Sequence, residues 1–341
     1  MYELISISDE TRWQKILDLF KVSDIYYSWQ YFLSAAKLDP GEALLFYYID
    51  EFGEGEVAYP FIKRSLYSED NLFFDITTPF GYGGPLVKIK KDPTNLINNY
   101  MKTFSVFCET EKIVAEFIRF HPLLGNALYF QNHINLTPVY DTYMVKLLHS
   151  LEPAGDGKSN EMEKEENSIV IKKLGTVRHM FEFLVLYYSS IRQREEADSY
   201  HFFTNDYFEM LISSLGPDLH LFGAYYENKL VSACYVMGKG DIIYYHLEGD
   251  LLGYEKLNSM KFLLLKIAEW GQENYYSFFH LGGDYKGEDF PVKGLKQEIS
   301  NTKPSKFYIG QYVHNPHVFE ELKTGDESDF VKRTCTRIGS E

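Results

Sequence analysis

Acid–base and anion-holding side chains in this sequence gather at the ends of predicted strands. Arg119 and His121 close one such strand at the stop His121-Pro122, beside the run Thr77-Thr78-Pro79-Phe80-Gly81-Tyr82-Gly83-Gly84-Pro85. A guanidinium there can clamp a phosphate or carboxylate, and an imidazole can serve as acid or base. Equally, Arg119 can pair with Asp75, and His121 can cap the turn at Pro122. Gly83 and Gly84 can expose backbone N–H groups to an anion while Tyr82 stacks or hydrogen-bonds; the same glycines can simply shape a tight turn. In the second half, His246 and Glu248 stand two residues apart on a predicted strand. Residues so spaced share a face, which would couple a base to an orienting carboxylate. His280 and Asp284 form a similar couple at four residues. Each histidine can instead be a satisfied core or rim residue. Lys286, Lys293 and Lys296 make a basic stretch able to hold a phosphate, or a solvated loop. No HxxxH or clustered Cys/His spacing joins these residues, so no metal site is expected.

The elements that position them occur twice. Ala43 to Tyr48, Val57 to Ile62 and Asn71 to Ile76 read as strands, followed by the Gly/Pro-rich loop, a helix from Thr94 to Thr110 and a strand from Lys112 to Phe120. Leu219 to Tyr226, Leu230 to Met237 and Ile242 to Glu248 repeat the meander. A loop, a helix from Ser259 (its expected N-cap) to Trp270 with a stop at Gly271, and a strand to Leu281 follow. Ahead of the second meander, Val177, Met180, Phe181, Leu184, Tyr188 and Ile191 recur at helical spacing and predict a face that packs on the sheet. Leu151 to Asn167 holds six acidic and two basic residues, Pro153, two glycines and no aromatic, and reads as a linker. The expected organisation is an N-terminal domain over 1–150, a linker over 151–167, a C-terminal domain over 168–325 and a tail over 326–341. The fold class is α/β (α+β), with mixed, mostly antiparallel sheets flanked by helices.

The 341 residues suit two cores of ordinary size. A net charge of -15 argues against broad nucleic-acid binding, which needs Lys and Arg to displace counterions. Cys108, Cys234 and Cys335 lie far apart and read as reduced thiols. The start Met1-Tyr2-Glu3-Leu4-Ile5 is unlike a secretory signal, and no run approaches membrane-spanning length, so a cytoplasmic location is expected. Twenty-eight Tyr and 26 Phe must line strands, interfaces or a ligand groove.

Several motifs together resemble the Fem-like peptidyltransferases and their relatives, which consist of two fused acetyltransferase-type (GNAT-like) domains. In the first half these are Asp24-Ile25-Tyr26-Tyr27 with Tyr31, the Phe74 to Pro85 loop, and Arg119-Phe120-His121-Pro122-Leu123 followed by Asn126. In the second they are the helix with Tyr188, Ser190 and Arg194, then Tyr200, Phe202, Tyr207-Phe208, Tyr245-His246-Leu247 and His280-Leu281-Gly282-Gly283. The family's acidic residue and Phe-Lys pair beyond His-Leu-Gly-Gly are replaced here by Asp289-Phe290-Pro291-Val292-Lys293-Gly294-Leu295-Lys296, with Lys296 the nearer counterpart of its lysine and Lys293 the other. The resemblance implies tandem GNAT-like domains. It also implies transfer of an acyl or aminoacyl group to an amine or hydroxyl of a nucleotide- or lipid-linked sugar or peptide precursor of the cell envelope, peptidoglycan or surface polysaccharide. Acyl-CoA or aminoacyl-tRNA would be the co-substrate, with no tightly bound cofactor. Substrate binding is expected from Asp75, Tyr82, Gly83, Gly84, Asn126, Tyr188, Arg194, His280, Asp284 and Lys296, and catalysis from Arg119, His121, His246 and Glu248. The acidic stretch Gly249 to Glu255 disfavours a CoA pyrophosphate at the second strand-to-helix junction. The other reading is a catalytically decayed binding or scaffold protein for sugar nucleotides or partner proteins.

Overall fold

The computed structural model describes residues 1–68, 71–147, 168–192, 201–283 and 294–324. The expected linker and tail, together with Arg194, Tyr200, Asp284, Lys286, Lys293 and Cys335, lie outside the described residues. Along the chain run β1 (Tyr2–Ser6), α1 (Glu10–Phe20), α2 (Trp29–Leu38), β2 (Glu42–Ile49), β3 (Gly55–Ser68), β4 (Asn71–Thr77), β5 (Leu86–Ile89), α3 (Pro93–Thr110), β6 (Ile113–Arg119), α4 (Ala127–Phe130) and β7 (Asn135–Lys146). Then come β8 (Ile169–Leu174), α5 (Val177–Arg192), α6 (Asn205–Leu215), β9 (Leu219–Tyr226), β10 (Lys229–Lys239), β11 (Ile242–Asp250), α7 (Ser259–Glu273), β12 (Phe278–Gly283), α8 (Leu295–Ile299), β13 (Ser305–Val313) and α9 (Pro316–Thr324).

The chain folds as two compact units. Unit 1 comprises Met1–Tyr140, Thr204–Ser214 and the chain from Lys306 onward; unit 2 comprises Asp141–Phe203 and Leu215–Ser305. Unit 1 therefore recruits α6 and β13 from late in the sequence.

In unit 1 the strands lie in the order β1-β2-β3-β4-β6-β13, with β5 also on β3. β1 to β4 are antiparallel, and β6 returns parallel to β4 after α3. Asp92 caps α3 by accepting the Asn95 N–H at 2.8 Å, and Pro93 follows where a missing N–H costs nothing. α3 buries Leu96, Ile97, Tyr100, Phe104 and Phe107 against Phe46, Tyr59 and Phe61 of the sheet. Stacked and edge-on rings such as Phe46 and Phe104, 5.0 Å apart, absorb much of the aromatic excess; each such pair adds about 0.5–1.5 kcal/mol beyond its buried area.

Unit 2 repeats the plan. Its strands lie β7-β12-β11-β10-β9-β8, with β9, β10 and β11 an antiparallel meander and β12 parallel to β11 after α7. α7 packs Met260, Phe262, Leu263, Leu264 and Ile267 on one face of the sheet. α7 runs through the expected stop: at Gly271 a Cβ would meet Ile243 Cδ1 at 2.8 Å and Leu147 Cδ1 at 2.9 Å, so this glycine admits close packing and the helix ends at Glu273. Its N-cap is Asn258, one residue before the expected Ser259. α5 lies against β10 and β11. Its buried residues are Phe183, Leu184, Leu186, Tyr187 and Ile191, whereas Val177 and Phe181 of the expected face are 70% and 55% exposed. Leu184 and Ile191 of the expected face are buried, but the buried side extends to Phe183, which docks edge-on against Tyr235 at 4.7 Å, and to Leu186 and Tyr187, which pack on Gly249.

Candidate functional site

The parallel strand pair of each unit behaves differently. In unit 1 the pairing of β4 with β6 continues past Thr77. Thr78 donates its N–H to Phe117 O at 3.2 Å and accepts the Arg119 N–H on Oγ1 at 2.8 Å, and Gly83 bridges to Phe120. In unit 2 the pairing stops early. β11 runs nine residues, but only Ile242, Ile243 and Tyr244 pair with β12, opposite Phe278, Phe279 and His280.

The reason lies in two bulges. On β11, Tyr245 pairs with Val236 and Leu247 with Tyr235, so His246 is an extra residue. On β12, His280 pairs with Met144 and Gly282 with Tyr143, so Leu281 is the extra residue. Each bulge bends its strand immediately beyond the last shared pair, and the two strands part. The bulge also interrupts the two-residue alternation on which the expected His246–Glu248 couple rested: Leu247 lies opposite Tyr235, whereas Tyr245 and Glu248 lie opposite Val236 and Cys234 of the α7 core.

Lys296 stands in this gap. The Lys261 to Glu298 ion pair at 2.6 Å ties α8 to α7. Lys296, almost fully buried, donates Nζ to Gly283 O of β12 at 2.7 Å and stands 5.0 Å from the ring centre of Tyr245 on β11. A cation thus joins the two parted strands. His246 is partly exposed, yet burial of its ring pushes it down to about 3, so the imidazole is neutral at pH 7. It is therefore a hydrogen-bonding group and a weak base. His280 is buried beside Tyr244 at 5.4 Å. Tyr188 Oη donates to Phe203 O at 2.5 Å and so anchors the chain after α5.

His220, also in unit 2, packs edge-on to Trp270 at 4.6 Å and is pushed down to about 4, first by burial and then by Lys173. Both imidazoles are neutral in the fold and protonate near 6.5 when unfolded. As pH falls from 6.5 towards 4 the unfolded chain gains protons that the fold refuses. Stability is complete above 6.5 and declines by at most ~1.4 kcal/mol per pH unit for each histidine. His220→Gln is expected to shrink the difference between urea midpoints at pH 7 and pH 5; an identical difference would rule out this imidazole as a source.

Unit 1 gathers its expected residues into one buried cluster. Arg119 is enclosed, with Nη1 near Thr77 Oγ1 at 3.4 Å and Thr78 O at 3.3 Å and its guanidinium 4.8 Å from the ring centre of Phe117. Asp75 does not pair with it. Both Asp75 oxygens are held by Arg64, Oδ1 by Nε at 2.8 Å and Oδ2 by Nη2 at 2.6 Å, and Arg64 Nη1 also reaches Asp39 Oδ1 at 2.9 Å. His121 does cap its turn: Nδ1 accepts the Leu123 N–H at 3.2 Å, and Nε2 faces Asp24 Oδ2 at 3.3 Å. Rings of Tyr26, Tyr27 and Tyr82 surround it at 5.6–6.4 Å. Gly83 O accepts from the His121 N–H at 3.0 Å, Tyr27 Oη at 2.8 Å and Asn126 Nδ2 at 2.9 Å. A Cβ at Gly84, where φ is +85°, would meet Phe120 at 2.9 Å. The loop is thus clasped from within. Sequence reasoning missed Arg64 and the role of Asp24, although Asp24 heads the Asp-Ile-Tyr-Tyr motif.

No family model and no curated protein matches this sequence. Solved structures do. FemX covers 94% of this chain and 99% of its own at 11% identity and a TM-score of 0.60. The C-terminal domain of a putative lysylphosphatidylglycerol synthetase from Agrobacterium fabrum covers 93% and 94% at 14% identity and a TM-score of 0.52. A tandem GNAT protein from the clavulanic acid biosynthesis pathway covers 93% and 99% at 8% identity and a TM-score of 0.52. The chain therefore has the Fem-like, tandem GNAT-type fold, a mixed α/β architecture with a mostly antiparallel sheet flanked by helices. Among the described residues no helix is long and apolar enough to cross a membrane, and no cluster of His, Cys, Asp and Glu is arranged to hold a metal.

Proposed function

We propose that this protein is an acyl- or aminoacyl-transferase acting at the gap between β11 and β12. The carrying observation is the paired bulges at His246 and Leu281, with Lys296 between the parted strands. Such a gap can hold an extended acyl donor between two strand edges and present its carbonyl to an acceptor, so rate comes chiefly from positioning. The acceptor nitrogen or oxygen attacks the acyl carbon and a new C–N or C–O bond forms. The tetrahedral oxygen gains negative charge, and the Lys296 ammonium stabilises it. The bond to the carrier then breaks, and the carrier's sulfur or oxygen leaves with the electron pair while the acceptor's proton passes to solvent or to that leaving atom. Neutral His246 orients the acceptor by hydrogen bonding.

The acceptor class follows the Fem-like resemblance: an amine or hydroxyl on a nucleotide- or lipid-linked precursor of the cell envelope, in the cytoplasm. FemX and the lysylphosphatidylglycerol synthetase domain support a transfer RNA-linked aminoacyl donor, and the GNAT protein an acyl-CoA. Arg119, His121, Asn126 and the glycine loop of unit 1 serve here to fix the loop. The test is incubation of purified protein with charged transfer RNA or acyl-CoA and nucleotide-linked muropeptides or sugars, read by mass spectrometry of the acceptor. An acceptor heavier by one acyl group is expected. Ligand retention with no mass gain from any donor would establish the decayed, binding-only protein instead.

A further inference from the structure

Asp250 ends β11; two serines from two elements hold it, and a third braces one of them. Ser232 of β10 donates its hydroxyl to Asp250 Oδ1. A carboxylate only accepts, so this contact uses Ser232's proton, and Ser259, 2.6 Å away between Oγ atoms, donates to Ser232 in turn. Ser190 of α5 accepts the Asp250 N–H at 2.8 Å and donates to Asp250 O at 2.9 Å. Ser259 is the first residue of α7, whose N-cap Asn258 makes no side-chain capping bond. Two hydroxyls, those of Ser232 and Ser259, therefore link a fixed carboxylate to the first residue of α7, at the positive end of its dipole. This strand-to-helix junction, on the side to which β11 diverges, is where a phosphate on an acyl carrier would find backbone N–H groups.

Glu248 faces the same side as Asp250, since the two pair with Cys234 and Ser232 in unbroken register beyond the bulge. The buried Cys234 thiol reports both charges: burial pushes it up, and Glu248 and then Asp250 push it further.

We propose that Asp250 is a specificity-determining residue that fills the anion seat at the α7 N-terminus, so that the gap selects acyl donors carrying no pyrophosphate at that junction. This rests on the gap being the reacting centre. The serine relay gives the carboxylate one position, and a donor phosphate entering there meets like charge where an open helix end would have offered hydrogen bonds.

The experiment compares equilibrium binding of acetyl-CoA with that of acetyl-pantetheine, which lacks the pyrophosphate, in the wild-type protein and in Asp250→Asn. Asparagine keeps the shape of the side chain and can still accept from Ser232; circular dichroism and the urea midpoint confirm the fold. The ratio of the two affinities is expected to shift at least about tenfold towards acetyl-CoA in Asp250→Asn, which is ~1.4 kcal/mol. An unchanged ratio overturns the proposal. So does a wild-type protein that already prefers acetyl-CoA tenfold, or an Asp250→Asn protein that binds no acetyl-CoA at millimolar concentration. Binding is read without turnover, so a failure to detect acyl transfer leaves this result separate.

Discussion

Arg64→Ala is expected to cost unit 1 about 3–5 kcal/mol, enough to unfold it or bring it close to unfolding, because a buried ion cluster is far costlier to break than to replace whole. Arg64 is about 1% exposed, and the guanidinium makes three hydrogen bonds of 2.6–2.9 Å to Asp75 and Asp39. Removing it strips two enclosed carboxylates of that cation. Arg64→Lys keeps the charge but loses the two-pronged grip on Asp75, so an intermediate loss of roughly 1–3 kcal/mol is expected. Urea unfolding followed by tyrosine fluorescence measures both. An Arg64→Ala midpoint within error of the wild type would remove the cluster from any account of what holds β3, β4 and the end of α2 together.

Lys296→Ala should lower kcat/KM for acyl transfer about 10²–10³-fold, the range expected when a group facing a developing oxyanion is deleted. The loss should fall mainly in kcat, because the ammonium meets full negative charge only in the tetrahedral state. Lys296→Arg restores charge with different reach and is expected to recover part of the rate. Equal turnover by Lys296→Ala and wild type, with matched urea midpoints, would exclude Lys296 from the chemistry.

Much of the fold was legible because period-2 strands, capped helices and turn residues are local signals. Leu219–Tyr226 and the helix expected over Thr94 to Thr110, which begins one residue earlier at Pro93, are examples. What was not legible depended on register. Arg64 meets Asp75 only because β3 pairs with β4 at those positions, a relation between two segments that neither one encodes alone. The bulge at His246 has no residue signature of its own, so the inference that His246 and Glu248 share a face assumed a regularity the strand lacks. On α5 the sequence carries apolar residues on more than one side, and which side is buried depends on what β10 and β11 present to it, such as the Tyr235 ring opposite Phe183 and Gly249 beneath Leu186 and Tyr187. The family resemblance singled out Lys296, with Lys293 as the alternative, but its position on a five-residue helix beside Gly283 depends on tertiary packing that the resemblance does not carry.

The recruitment of α6 and β13 into unit 1 sets the order of events during synthesis. β6 is an interior strand only once β13 pairs along it, from Ile309 opposite Arg119 to Val313 opposite Ala115. Until those residues have left the ribosome, roughly 190 residues after β6 at about 5–20 residues per second, a nascent chain carries for some ten to forty seconds the open edge of a strand whose every residue is buried in the finished fold. Such an edge is a template for pairing with other chains. Cells making this protein would need a holding chaperone for that interval, and a stop codon placed after residue 150 should yield an aggregating fragment rather than a free-standing first half.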